Sequence, residues 1–236
     1  MGERLIAVGL PGITNVTRYL RPYMVASWIA WQFNEHLKEI TRQHAALPQR
    51  KGPLFKAFRE KAELLFTWCN KRAIGAVGNS RAYPDNSKPV RLAFDNEALG
   101  PVNMASWFAA AAYGPSFSVA SGLGFVYPFE SVYVPTPIGE EAARILERLM
   151  ASRPKAHSRI AHLTECEGSL RDVEALHDAL DLGTTTAKER ALFRGVLYQE
   201  SRVGIWDGSH GNRSTTIALI LKALANAGPL QVEEIR

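Results

Sequence analysis

The stretch Phe125–Gly139, FVYPFESVYVPTPIG, decides how this chain is read. Two runs of β-branched and aromatic residues, Phe125-Val126-Tyr127 and Val132-Tyr133-Val134, flank Glu130-Ser131 and predict a hairpin. Thr136 then offers an N-cap oxygen with proline at the first helical position. Behind it Ile138, Ala142, Ile145, Leu146 and Leu149 keep helical spacing. Upstream, Pro101 opens a predicted helix through Met104, Trp107, Phe108 and Ala111. Gly114-Pro115 turns the chain, and 116–121 supplies one or two helical turns.

Helix, turn, short helix, hairpin, helix is an order that resembles a winged helix, in which a T-P-x-G motif after the wing starts the closing helix, here Thr136-Pro137-Ile138-Gly139. The resemblance implies a mainly α fold, a helical domain with a small winged-helix-like β-hairpin. A DNA-reading winged helix neutralises phosphates with basic residues around its second helix. From Ala98 to Gly139, however, the only charge is Glu130. Counterion release has no local source there, so base reading by this element is not expected. The neutral segment is expected to be buried, within the fold or against protein, with Trp107, Phe108, Phe117, Tyr127 and Phe129 as interface residues.

Working outward, the charge is segregated. Residues 1–91 hold 15 Lys+Arg against 6 Asp+Glu, a net of +9, and residues 92–236 hold 13 against 17, a net of −4. Arg42, Arg50, Lys51, Lys56, Arg59 and Lys61 fall close together, opposed by Glu60, and Lys71 and Arg72 follow. Such a basic cluster is the expected nucleic-acid contact, DNA or RNA, because phosphate neutralisation dominates that affinity. The competing reading is the solvated face of a moderately basic protein.

The organisation follows from the same signals. A short strand or arm at Leu5–Val8 and a turn at Gly9–Gly12 precede a helix from Pro22 to about Gln43, crowded by Met24, Trp28, Ile29, Trp31, Phe33 and Leu37. After a basic loop at 48–53, Pro53 opens a second helix with an apolar stripe of Phe55, Phe58, Ala62, Leu65 and Cys69 and a basic opposite face; 79–91 reads as a loop. The last third is helical. Ser169-x-x-Asp172 and Thr186-x-x-Glu189 are capping-box patterns, and a polar loop, 207–213, leads into a helix over 214–227. Three regions result: 1–97, basic and helical; 98–155, neutral and winged-helix-like; and 156–236, helical and expected to continue beyond Arg236.

Composition narrows the chemistry. Hydrophobic content of 46% and charged content of 22% are those of a globular protein. Cys69 and Cys166 lie outside any CxxC and read as buried free thiols of a reducing compartment. The amino terminus lacks the pattern of a signal peptide, and the longer apolar stretch is broken by Gly and Pro, so a cytoplasmic protein without a membrane partner is expected. The six histidines form no HExxH, and no metal or cofactor is expected. Gly208–Ser214 lacks the spacing of a nucleotide-binding loop, although a helix start at Ser214 beside Arg213 would suit a lone phosphate. Pro84–Lys88 reads as a plain turn. The acids of the last third, such as Glu140, Glu141, Glu147, Glu174 and Asp178, have the spacing of caps and solvated faces. No catalytic residue is assigned.

A second resemblance rests on Gly12-Ile13-Thr14-Asn15-Val16-Thr17 followed by Arg18, Arg21 and Tyr23, on Tyr113-Gly114-Pro115, and on Thr136-Pro137-x-Gly139. Together these resemble a loosely defined set of uncharacterised bacterial proteins found near mobile-element and anti-phage defence genes. The resemblance implies a bacterial anti-phage defence context; set beside the charge pattern, the expectation is a non-catalytic subunit of a bacterial complex that contacts nucleic acid through its basic amino half and protein subunits through its neutral middle. Two alternatives stand beside it: a nuclease component whose catalytic part lies outside the chain, and a pure protein scaffold.

Overall fold

The computed structural model describes residues 19–43, 51–70, 89–96, 114–117, 122–165, 167–198 and 210–227. The expected arm at 5–8, the turn at 9–12, the helix through Trp107 and Phe108, and Arg50, Lys71, Arg72 and Cys166 lie outside the described residues. In chain order the elements are α1 (Arg21–Gln43), α2 (Lys51–Cys69), β1 (Val90–Arg91), α3 (Gly114–Phe117), β2 (Val126–Phe129), β3 (Val132–Pro135), α4 (Pro137–Ala151), α5 (Pro154–Ala161), β4 (Glu167–Gly168), α6 (Leu170–Leu180), α7 (Ala187–Tyr198) and α8 (His210–Ala227). The fold is mainly helical, with two small antiparallel two-stranded sheets, one of them the expected hairpin.

Helix α1 is central because its amino half is apolar on every side: all residues from Arg21 to Ala30, and Phe33, are buried. It packs most extensively on α4 and also meets α2 and the hairpin. Trp28 stacks on Phe58 at 5.9 Å, and Tyr23 meets Phe117, Phe125 and Phe193 at 5.1–5.5 Å. One core cluster runs from Tyr23 to Val196 and draws on all three sequence regions.

The hairpin pairs Val126 with Pro135 and Phe129 with Val132, which leaves Glu130-Ser131 as a two-residue turn. Glu130 adopts φ 53°, a left-handed conformation that glycine normally fills. The T-P-x-G motif has a local mechanical role. Thr136 caps α4 by accepting the Gly139 amide at 3.1 Å, and its hydroxyl faces the Gly124 and Phe125 carbonyls at 2.6 and 3.1 Å. A β-carbon on Gly139 would collide with the Phe125 carbonyl, so the fourth position must be glycine.

Helix α2 departs from its expected form. It begins at Lys51, with Pro53 in the first turn, where its missing N–H costs nothing. Residues 60–70 are then buried on all faces, so the basic opposite face does not continue through this half. The buried polar groups are satisfied instead. Glu60 accepts the Phe94 amide at 3.0 Å. Asn70 donates to the Phe66 and Leu180 carbonyls and accepts from the Leu182 amide, all at 2.8–2.9 Å, which locks the end of α2 to the end of α6. Strands β1 and β4, in segments read as loop and helix, pair Val90 with Gly168 and Arg91 with Glu167. Two-residue strands leave no periodicity to read.

Both capping boxes form. Asp172 accepts from the Ser169 amide at 2.8 Å, and Glu189 accepts from the Thr186 amide at 2.6 Å while Thr186 Oγ1 accepts the Glu189 amide at 3.2 Å. Helix α8 starts at His210, before the expected Ser214, so no helix N-terminus lies at Ser214 and the lone-phosphate reading there is withdrawn.

Candidate functional site

The basic cluster of 42–61 is largely engaged inside the molecule. Exposed Arg42 pairs with Glu39 at 3.6 Å and exposed Lys56 with Glu60 at 3.7 Å. Half-buried Lys51 reaches Glu130 at the hairpin turn, 3.6 Å away. Arg59 lies against buried Glu63 at 3.1 Å.

Lys61 is a correction. It is fully buried, and its ammonium donates to the carbonyls of Arg159, His162 and Glu165 around the carboxyl end of α5, with the Phe58 ring 5.0 Å below it. A cation suits that end of a helix, where carbonyls are left without intrahelical donors. Lys61 is therefore a structural clamp with no path to a phosphate. The described cations of the 42–61 cluster do not converge on one anion surface.

The expected interface residues divide. Phe117 is core, 1% exposed and edge-on to Tyr23, which removes it from any partner surface. Tyr127 is half-buried on β2. Phe129 is 54% exposed at the hairpin tip.

Two charged arrangements lie deeper. Arg21 and Glu189 form a buried ion pair at 3.3 Å, with Arg21 also donating to the Ala179 carbonyl and, at 2.6 Å, to the Thr184 carbonyl. Burial pulls the Arg21 pKa down, opposed by the charges of Glu189 and Asp181. The pair joins the start of α1 to the α6–α7 connection. At the α1–α4–α5 junction, one carboxylate oxygen of Glu147 accepts from the Trp28 indole at 2.7 Å and from His157 Nε2 at 2.9 Å. Burial acts to raise the Glu147 pKa, but these hydrogen bonds outweigh it and hold the group below its ordinary value. A carboxylate orienting a histidine is half of a nucleophile-activating arrangement. Among the described residues no hydroxyl or thiol bonds His157, so the triad brought together is Trp–Glu–His, which fastens three helices. Cys69 is likewise inert packing: burial pushes its thiol up to about 12, and the Sγ contacts the Val173 carbonyl at 3.5 Å.

Among the described residues no group of three or more His, Cys, Asp or Glu is arranged to hold a metal ion, and no helix is long and apolar enough to cross a membrane.

The largest exposed apolar feature lies on α8, which the sequence reading passed over. Leu219, Ile220, Leu221 and Leu224 are 61, 45, 51 and 42% exposed. Successive residues point about 100° apart on a helix, so these four look outward in several directions. The signal was present: from Thr215 to Asn226 the helix carries a single charge, Lys222. A helix apolar all round is normally enclosed. The chain matches no family model, no curated protein and no solved structure.

Proposed function

We propose that the chain is a non-catalytic subunit of a larger protein assembly, docked through α8, with the exposed hairpin tip as a second apolar contact. The observation that carries this reading is the α8 surface itself. Exposed contiguous apolar groups of this size mark interaction sites on soluble proteins. The occupant is an apolar helical segment of a different subunit that presents a carboxylate to Lys222. The resemblance noted above supports a bacterial assembly of the anti-phage defence kind. Of the alternatives, the protein scaffold gains most from the engagement of Lys51, Lys56, Arg59 and Lys61 within the fold.

The test is a double substitution, Leu221→Glu with Leu224→Glu, made in the full chain co-expressed with its neighbouring genes. The expected result is a variant with unchanged thermal unfolding that no longer co-purifies at fixed stoichiometry with the subunit that accompanies the wild type. A variant that still assembles overturns the docking site. A variant that unfolds on its own does so too, since α8 would then belong to this chain's own core.

A further inference from the structure

We infer that the partner segment seated on α8 is a helical hairpin, whose two apolar helices form a groove that takes α8 lengthwise. The inference rests on the docking reading above and adds the partner's shape to it. Residues 218–226, about two and a half turns of helix, are all exposed. Just ahead of them Thr216 and Ile217 are half-buried, and α8 meets α7. The carboxyl half of α8 is thus exposed on every side, not along one face.

The directions of the side chains set that shape. Measured round the helix from Leu219, at about 100° per residue, Ile220 points to about 100°, Leu224 to about 140° and Leu221 to about 200°. Ala223, Ala225 and Ala218 fall at about 40°, 240° and 260°. Thr215, Lys222 and Asn226, all exposed, come together at about 300–340°. This half of α8 is therefore apolar over about 260° and polar along one stripe about 40° wide. A single partner helix covers an apolar stripe of about 100°, so it would leave either Leu219 or Leu221 in water. The same holds for two copies of α8 packed on each other. Two helices side by side cover the whole arc, with α8 as the third member of a bundle. The polar stripe then lies at the mouth of the groove, where a carboxylate of the partner meets Lys222 without either charge being buried. A bilayer surface does not match the pattern. A helix lying in one carries a broad polar face rich in Lys and Arg, whereas this stripe has Lys222 as its one charge.

A scan round the helix tests the assignment. Leu219→Glu, Ile220→Glu, Leu221→Glu and Asn226→Glu are made singly in the full chain, co-expressed with its neighbouring genes, and the co-purifying subunit is quantified. Each of the first three, pointing in three different directions, should lower its yield more than tenfold, because each buries an unpaired charge. Asn226→Glu, at the mouth of the groove, should change it less than twofold, and all four should unfold thermally like the wild type. Loss confined to one direction, or to two adjacent ones, overturns the hairpin and leaves docking through α8 standing, since one helix would then suffice. Equal loss with Asn226→Glu also overturns the hairpin alone, because the polar stripe would be enclosed as well. No loss in any variant, or a wild type that brings down no subunit, overturns the docking reading together with the hairpin. So does premature unfolding of the three leucine and isoleucine variants, which would place α8 in this chain's own core. Two further arms identify other occupants. An oligomer of the purified chain in light scattering, or flotation with phosphatidylglycerol vesicles, overturns the proposal if the same three substitutions abolish it.

Discussion

The backbone carbonyl of Phe125 and the α-carbon of Gly139 meet at the point where any other residue would carry its β-carbon. The carbonyl cannot retreat, because the Thr136 amide donates to it at 3.0 Å and the Thr136 hydroxyl faces it at 3.1 Å. The four-residue motif is thus a rigid joint between hairpin and helix with one allowed spacing. Gly139→Ala is expected to cost about 2–3 kcal/mol through overpacking against fixed backbone. Thr136→Val should cost about 1–2 kcal/mol for the lost cap, and Thr136→Ser much less. Urea unfolding of the three variants checks the order.

Lys61 gives a sharper contrast with its neighbours on α2. Lys61→Met removes the donor shared by the Arg159, His162 and Glu165 carbonyls and is expected to destabilise by about 2–4 kcal/mol. Lys56→Met, on an exposed side chain, should fall within about 0.5 kcal/mol of wild type. Guanidinium unfolding separates the two. A near-neutral Lys61→Met would contradict the clamp.

Glu147 links stability to pH. Its folded pKa lies below the ordinary carboxylate value, so the folded state holds its proton less tightly than the unfolded chain does. The associated stability is fully present above the unfolded pKa, about 4.3, and is lost as pH falls through the folded value. Denaturation midpoints compared at pH 7, 4 and 3 should show this loss. Glu147→Gln should make the acid limb shallower, and so should Trp28→Phe and His157→Ala, each of which removes one donor to the same oxygen.

Much of the fold was readable from local chemistry. The hairpin turn at Glu130-Ser131, the Thr136 cap and the boxes at Ser169 and Thr186 are set by residues within three positions of each other, and all formed where the pattern placed them. The fate of the charged side chains was not readable. Lys61 and Lys56 look alike in sequence, yet one is buried on carbonyls from 98 to 104 positions away and the other is in solvent. Helical spacing tells which residues share a face, but not whether a second layer covers that face. The same blindness hid Glu189, read as a cap, which is also the buried partner of Arg21. It hid α8 in the opposite direction, since an apolar helix gives no hint that it will be left uncovered.

The Arg21 anchor carries a consequence for synthesis. Its acceptors, Ala179, Thr184 and Glu189, are encoded 158, 163 and 168 residues later. At about 5–20 residues per second, α1 and α2 wait roughly ten to thirty seconds for them to leave the ribosome. During that interval Trp28 and Phe58 can cover each other, but the surfaces that will face α4, α6 and α7 stay wet. The nascent amino half therefore keeps part of its core surface uncovered until Glu189 emerges. Cutting the gene between its basic and acidic halves divides a single core, and neither half inherits a domain.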